Sequence, residues 1–259
     1  MSESNKKLSR KRQLARRGHR LPAIVPMWLR RRVEMDNTAL LDFVGRVAAT
    51  VPAGSLVLDA GAGEGRYQPE FAHTRFIGVD LAVGDAEWDY HNLNAICTLV
   101  ELPFQANTFD AVLLTQVLEH VQERLLVLKE IQRVLKPGGR LFLTVPQSWH
   151  QHQKPHDYYR YTSFGLKYLF EHAGLQPQSI EPMGGYFWVL AFQLHMINYW
   201  LFPHGMRWRR LTWPIRAVFG LVFQLFFPFI LYYLDRFDRQ KDETFGHACI
   251  AIKPDAQPS

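Results

Sequence analysis

Three glycines at alternate positions, Gly61, Gly63 and Gly65, follow directly on the apolar run Val57-Leu58-Asp59-Ala60. Glycines so spaced permit positive φ and let a ligand approach the backbone with no Cβ in the way. Asp80, 19 residues beyond Gly61, closes the next apolar run, where an acid can accept hydrogen bonds from ribose hydroxyls. A dinucleotide loop wants Gly-x-Gly-x-x-Gly, but Arg66 stands where the third glycine belongs. Asp59, set directly before the turn, suits a cationic ligand better than a pyrophosphate.

Two further clusters carry groups able to move protons. Gln116, Glu119 and His120 follow the run Phe109–Thr115, and the tract Gln147–Thr162 follows Arg140–Val145. That tract holds His150, His152, His156, Asp157 and Arg160. His156 is the expected general base, with Asp157 or Arg160 orienting it or the substrate, and His120 is the second catalytic candidate. The alternative is that His156 and Arg160 brace the loop, and that His120 only opens a helix. Gln116, Glu119 and His120 with His150, His152 or His156 also have the makings of a metal site. Gln116 is a poor ligand, so no bound metal is expected.

The elements that must position these groups alternate along the chain. Helical spacing of apolar residues predicts helices over Asp36–Thr50, Glu119–Lys136 and Ser163–His172, the second ending at Lys136-Pro137-Gly138-Gly139. Short apolar runs predict strands at Leu56–Ala60, Arg75–Asp80, Phe109–Thr115 and Arg140–Val145, with a last one beginning at His247. Strands alternating with helices imply a mostly parallel sheet covered on both faces, with ligands beyond the carboxyl ends of the strands.

The loop Asp59-Ala60-Gly61-Ala62-Gly63-Glu64-Gly65, the acid Asp80, Leu102-Pro103-Phe104 and Phe109-Asp110 occur in a familiar order. So do Val117-Leu118-Glu119-His120 and Arg133-Val134-Leu135-Lys136-Pro137-Gly138-Gly139. Over residues 57–145 the chain resembles the class I S-adenosylmethionine-dependent methyltransferases, in the type 11 branch that includes ubiquinone-biosynthesis-like enzymes. The run Pro155-His156-Asp157-Tyr158-Tyr159-Arg160-Tyr161-Thr162 extends the likeness to about residue 175. The resemblance implies a Rossmann-like α/β three-layer sandwich, strand order 3-2-1-4-5-7-6, with the last strand antiparallel. It implies S-adenosyl-L-methionine as cofactor, its methionine part on Asp59, Gly61, Gly63 and Gly65 and its ribose on Asp80. Thr98 stands where the family commonly has an Asp facing the adenine amine, and Gln116 completes the expected cofactor set. The Gln116-x-x-Glu119-His120 spacing also resembles metal-assisted RNA 3′-end methyltransferases, which have Glu at the first position.

Charge is divided unevenly. The 259 residues carry net +6, but residues 1–33 hold eleven basic side chains and one acid, leaving the remainder at −4. A basic arm on an acidic body argues against a surface built throughout for nucleic acid. Residues 1–20 lack apolar anchors and are expected to be disordered. Leu21–Arg32 is expected either on a membrane surface or packed as an irregular leader. The first 20 residues carry no export signal, and Cys97 and Cys249 are expected as reduced thiols in a cytoplasmic protein.

Pro182–Met206 is 25 residues without Asp, Glu, Lys or Arg; Arg207-Trp208-Arg209-Arg210 follows, and Ala217–Leu234 gives 18 more uncharged residues. A single crossing conflicts with a last strand that must rejoin the sheet. A two-helix hairpin would carry Arg207, Arg209, Arg210 and Arg216 across, against the positive-inside rule. A monotopic attachment is therefore expected, with Trp200, Trp208, Trp213, Tyr232 and Tyr233 near headgroup level. The alternative is a helical cap or dimer interface. The expected domains are an arm over 1–33, a methyltransferase domain over 34–185 plus 244–254, and an apolar insertion over 186–243. The expected function is O-methylation of a lipid-linked, isoprenoid or glycan-type small acceptor at the cytoplasmic face of a membrane. An RNA-modifying enzyme gripping phosphates with the arm, and a non-catalytic membrane scaffold, are the alternatives.

Overall fold

The computed structural model describes residues 25–83, 88–202 and 212–255. The basic arm over 1–20 and the connector Arg207-Trp208-Arg209-Arg210 lie outside the described residues. Seven strands, β1 (Leu56–Ala60), β2 (Arg75–Asp80), β3 (Ala95–Ile96), β4 (Phe109–Thr115), β5 (Leu135–Pro146), β6 (Gln176–Pro182) and β7 (Gly246–Ile252), form one sheet. The helices are α1 (Met27–Val33), α2 (Met35–Ala48), α3 (Arg124–Val134), α4 (Ser163–His172), α5 (Tyr186–Leu201), α6 (Trp213–Phe219) and α7 (Phe227–Leu234). The chain divides into two compact units, Ala39–Gly185 with Gln240–Ser259, and Met1–Thr38 with Tyr186–Arg239.

The larger unit holds the sheet, in the order β3-β2-β1-β4-β5-β7-β6. Strands β1 to β5 pair parallel, and β7 runs antiparallel between β5 and β6. This is the Rossmann-like order and polarity that the family resemblance implied. Successive side chains of a strand point to opposite faces, and both faces here are buried. Val57, Ala111, Leu113 and Phe142 pack with Phe43, Val44 and Val47 of α2. Their neighbours Leu58, Val112, Leu114, Leu141 and Leu143 share the other layer with Val127, Leu128 and Ile131 of α3 and Leu166 and Phe170 of α4. Burial on both faces explains why these strands are continuous apolar runs rather than alternating ones.

The helix expected over Glu119–Lys136 is shorter and differently placed. Leu118–His120 forms a 3-10 turn, Val121 is extended (φ −113°, ψ 126°), and α3 begins only at Arg124. At the other end Leu135 is already a strand residue, opposite Phe109, with a register shift before Ala111. Gly138 (φ +72°) donates its N–H to Lys253 O (2.9 Å), and Lys253 N returns a bond to Gly139 O (3.0 Å). The Lys-Pro-Gly-Gly segment is thus clipped to the end of β7 as part of an extended β5. Two strands had no sequence reading. β3 has only two residues, and β6 (Gln-Pro-Gln-Ser-Ile-Glu-Pro) is a polar edge whose prolines are tolerated because it pairs on one side only.

In the smaller unit, α6 runs through a π-helical stretch, Gly220–Phe226, into α7 and a 3-10 turn at Asp235–Phe237. Pro228, in the first turn of α7, lacks an N–H, and the wider π turn before it is where the hydrogen-bond ladder accommodates that loss. The result, Trp213–Phe237, is long and apolar enough to cross a membrane by length and composition. The amino end of α5 is held by acids, with Tyr186 N donating to Asp238 Oδ2 (2.7 Å) and Trp188 N to Asp235 Oδ1 (3.3 Å). Trp188 stacks on Tyr232 at 5.5 Å. The leader is not irregular from Met27 onward. It is the helix α1, whose Trp28 meets Phe229 edge-on and whose Arg32 donates to Tyr233 Oη (2.6 Å). The Arg32 guanidinium also stands 5.7 Å from the rings of Trp28, Tyr232 and Tyr233, a cation–π arrangement.

Leu113, fully buried at the centre of β4, tests the two-faced core. Leu113→Ala should lower the stability of the larger unit by about 2–5 kcal/mol, measured as a shift of the urea midpoint in far-ultraviolet circular dichroism.

Candidate active site

At the carboxyl end of β1 the chain must turn sharply toward the helical layer, and the glycines make that possible. Gly61, Gly63 and Gly65 have φ of +87°, +54° and +73°. A Cβ on Gly61 would collide with the Val117 side chain, and one on Gly63 would sit 3.3 Å from the Trp88 ring. The turn is tied to β2 by Gly61 N and Ala62 N, which both donate to Val79 O (2.8 and 2.9 Å).

Asp59 is fully buried and neither carboxylate oxygen has a hydrogen-bond partner. Burial, reinforced by the Asp80 charge, pushes its pKa up to about 8. Such a group fits a cationic ligand, whose charge and N–H donors would restore the ionised form. Asp80, at the end of β2, accepts from Gly63 N (2.9 Å) and Ala82 N (2.8 Å), so it shapes the glycine turn while its remaining lone pairs stay available. Cys97 N donates to Asp80 O (3.0 Å), which brings Thr98 to the same sheet end. There Thr98 Oγ1 accepts from Val100 N at 3.4 Å. Gln116 has φ +53° and leans onto β5, its N donating to Thr144 O (2.9 Å) and its Nε2 to Thr144 Oγ1 (3.2 Å). Asp59, the glycines, Asp80, Thr98 and Gln116 therefore all lie at the carboxyl ends of parallel strands. An orphaned buried carboxylate beside a Cβ-free turn fits the ammonium-bearing methionine part of the expected cofactor.

The loops after β4 and β5 are sewn to one another. Tyr158 N donates to Glu119 O (2.9 Å), and the Tyr161 hydroxyl to Leu118 O (2.8 Å). His120 Nδ1 hydrogen-bonds the His156 carbonyl. The His156 ring is exposed and its Nδ1 lies 3.2 Å from the Tyr158 hydroxyl. Asp157 does not orient it. The Asp157 carboxylate is gripped at both oxygens by Arg160 (2.7 and 2.8 Å) and accepts from His152 N (2.9 Å), with His152 Nδ1 at 3.4 Å. The Arg160 guanidinium, by hydrogen bonding, holds that carboxyl well below the usual range. Arg160 also donates to Trp149 O (3.1 Å) and His150 O (3.0 Å). Asp157 and Arg160 therefore brace the loop, and the acid faces His152 rather than His156.

Three residues matter more than their sequence signal. Tyr67, buried just past the glycine turn, reaches Thr115 with its hydroxyl, and burial raises its pKa. Trp88 walls Gly63. Glu119 is fully buried with both oxygens unpartnered, and burial pushes its pKa up to about 8. An aromatic two residues beyond a glycine loop looks like ordinary core, which is why Tyr67 had no sequence reading.

Residues 58–143 match a family model described as a methyltransferase domain. That match covers the glycine turn and the strands from β1 into β5 just described, and identifies the domain. The chain carries a class I S-adenosylmethionine-dependent methyltransferase domain. S-adenosyl-L-methionine is the methyl donor of this domain. Over 139 residues the chain is 31% identical to a tRNA (carboxymethyluridine(34)-5-O)-methyltransferase of Arabidopsis thaliana, covering 48% of this chain and 32% of that protein. It is 27% identical over 165 residues to a ubiquinone biosynthesis O-methyltransferase of Coxiella burnetii, covering 60% of this chain and 64% of that one. The chain spans a third or less of the length of the first tRNA-type relatives, at 32%, 22% and 23%. Among solved structures, the 1,6-didemethyltoxoflavin-N1-methyltransferase of Burkholderia thailandensis superposes with TM-score 0.52 and 19% identity, covering 98% of this chain and 92% of that one.

The raised pKa of Asp59 gives this methyltransferase domain a proton signature. Near pH 7 the ligand-free carboxyl is largely protonated, so binding a cationic ligand should expel a proton. Calorimetry of S-adenosylmethionine binding at pH 7 should show an apparent enthalpy that varies with the ionisation heat of the buffer. Asp59→Asn should abolish that variation and weaken binding by more than 10-fold.

Proposed function

We propose that the protein O-methylates a small acceptor carried on a lipid or isoprenoid tail, working at the cytoplasmic face of a membrane. The observation that carries this reading is the apolar helix Trp213–Phe237, which leaves Trp213, Ile215, Val218, Leu221 and Phe226 exposed, each by more than half of its surface. A row of that kind is costly in water and favourable in the acyl boundary of a bilayer. The free thiols Cys97 and Cys249 agree with a reducing compartment. The name of the Coxiella burnetii relative, an O-methyltransferase of ubiquinone biosynthesis, supports an oxygen on an isoprenoid-bearing acceptor.

S-adenosylmethionine, when bound, would supply a sulfonium-activated methyl group to the acceptor oxygen, with S-adenosylhomocysteine as the leaving group. The protein's share is position and a proton sink. Asp59 and the glycine turn would hold the cofactor's amino-acid end, and Asp80 its ribose. His156, exposed on the loop after β5 and steadied by the Tyr158 hydroxyl, is the base that takes the acceptor's hydroxyl proton.

A second reading is favoured by the tRNA methyltransferase names among the relatives. It assigns the eleven basic groups of residues 1–33 to an RNA backbone. Tritiated-methyl transfer to lipid, glycan and RNA fractions separates the two. Label should appear in the lipid fraction and depend on added vesicles; label in RNA overturns the proposal. Val218→Asp with Leu221→Asp should prevent flotation with anionic liposomes while leaving cofactor binding intact. His156→Ala should lower kcat by about 10²–10⁴-fold without changing S-adenosylhomocysteine affinity, as single-turnover assays and calorimetry would show.

A further inference from the structure

One cluster at the sheet end is not used by cofactor binding. Glu119, His120 and His152 come from the turn after β4 and the loop after β5, and each presents one ligand-type atom within 4.8 Å of the other two. We propose that these three side chains form a binding site for a single divalent transition ion of the zinc class.

Four features carry the assignment. Glu119 is fully buried and both its carboxylate oxygens lack a partner. A buried carboxylate without a hydrogen-bond donor at either oxygen favours a cation beside it. His120 Nε2 is also buried and unpartnered, 3.7 Å from Glu119 Oε1. Both imidazoles have Nδ1 set against an acceptor, an arrangement that suits a metal at Nε2. His120 Nδ1 is engaged by the His156 carbonyl, and His152 Nδ1 faces the Asp157 carboxylate (3.4 Å) and the His150 carbonyl (3.3 Å). A ring nitrogen that donates to a carboxylate or carbonyl leaves Nε2 with its lone pair toward the ion and raises its basicity. The rings of His120 and His152 meet nearly edge-on at 4.7 Å, converging on the same small space.

Two nitrogens and one carboxylate oxygen suit Zn²⁺, Co²⁺ or Mn²⁺ better than Mg²⁺ or Ca²⁺, which prefer all-oxygen shells. Three protein ligands leave at least one coordination position for water or an acceptor oxygen. Gln116, whose amide is committed to Thr144, is not part of the set. The proposed set therefore stands on Glu119, His120 and His152 without a ligand from position 116. The Asp157–Arg160 pair gains a purpose here, as the clamp that presents Asp157 to His152.

The site stands on these side chains and does not depend on the choice of acceptor. Untagged protein is stripped with a chelator, returned to chelator-free buffer and titrated with Co²⁺, read by its visible ligand-field absorption, and with Zn²⁺ in competition. Wild-type protein should take up one ion per chain. Glu119→Gln and His152→Ala should each weaken uptake by more than about 100-fold, and Asp157→Asn by about 10–100-fold, the usual cost of losing an outer partner. His91→Ala, an exposed histidine elsewhere, should bind like wild type. Circular dichroism and S-adenosylhomocysteine binding report separately whether each variant is folded and whether the cofactor site is intact. If a variant does not fold, the wild-type titration decides alone. No uptake by folded wild-type protein, or uptake unchanged in the Glu119 and His152 variants, overturns the proposal.

Discussion

Sinking the Asp59 carboxylate at the end of β1 with neither oxygen hydrogen-bonded costs roughly 1–3 kcal/mol or more of stability. The rest of the cofactor half is arranged around that cost. The sheet buries the end of β1 on both faces, so water cannot solvate the acid. Val117 presses so closely on Gly61 that no side chain fits between them. Asp80 adds a second negative charge rather than a compensating one. In the ligand-free protein the acid therefore keeps its proton, and a cation delivered to it is repaid with the interaction the fold withheld. The raised pKa, the glycine turn and the ligand preference are three expressions of one placement.

The neighbouring loops follow a different logic. Nothing in the cofactor half requires the segment after β5 to lie against the turn after β4, yet hydrogen bonds hold it there. Tyr161 and Tyr158 pin it to Leu118 and Glu119, His156 to His120, and Arg160 closes it on itself through Asp157. A tract dense in His, Asp and Arg would be mobile if left to water. Bracing makes it a rigid wall, with the exposed His156 ring as its reactive face and Glu119 sealed beneath.

How far the sequence disclosed this depends on the kind of signal. The central strands were legible because burial on both faces leaves unbroken apolar runs such as Phe109–Thr115. The glycine turn was legible because only glycine adopts φ near +87° readily, as at Gly61. The polar edge strand β6 was not, because pairing on one side alone leaves Gln176–Pro182 without a hydrophobic pattern. The start of α3 was misplaced because Val121 keeps helical spacing with Leu125 and Leu128 while lying in extended backbone. Asp157 was paired in expectation with its sequence neighbour His156. Its actual partners, Arg160 and His152, are set by a loop fold that no local pattern encodes.

The antiparallel β7 has a consequence for how the chain is put together. Pro182 is in register with His247, and Met183 N donates to Gly246 O (2.8 Å), so the chain departs from the sheet and rejoins it at one doorway. A module leaving and returning through neighbouring positions can be lengthened, shortened or exchanged without moving a single strand register. The segment between Met183 and Gly246 is thus an interchangeable cassette as far as the sheet is concerned.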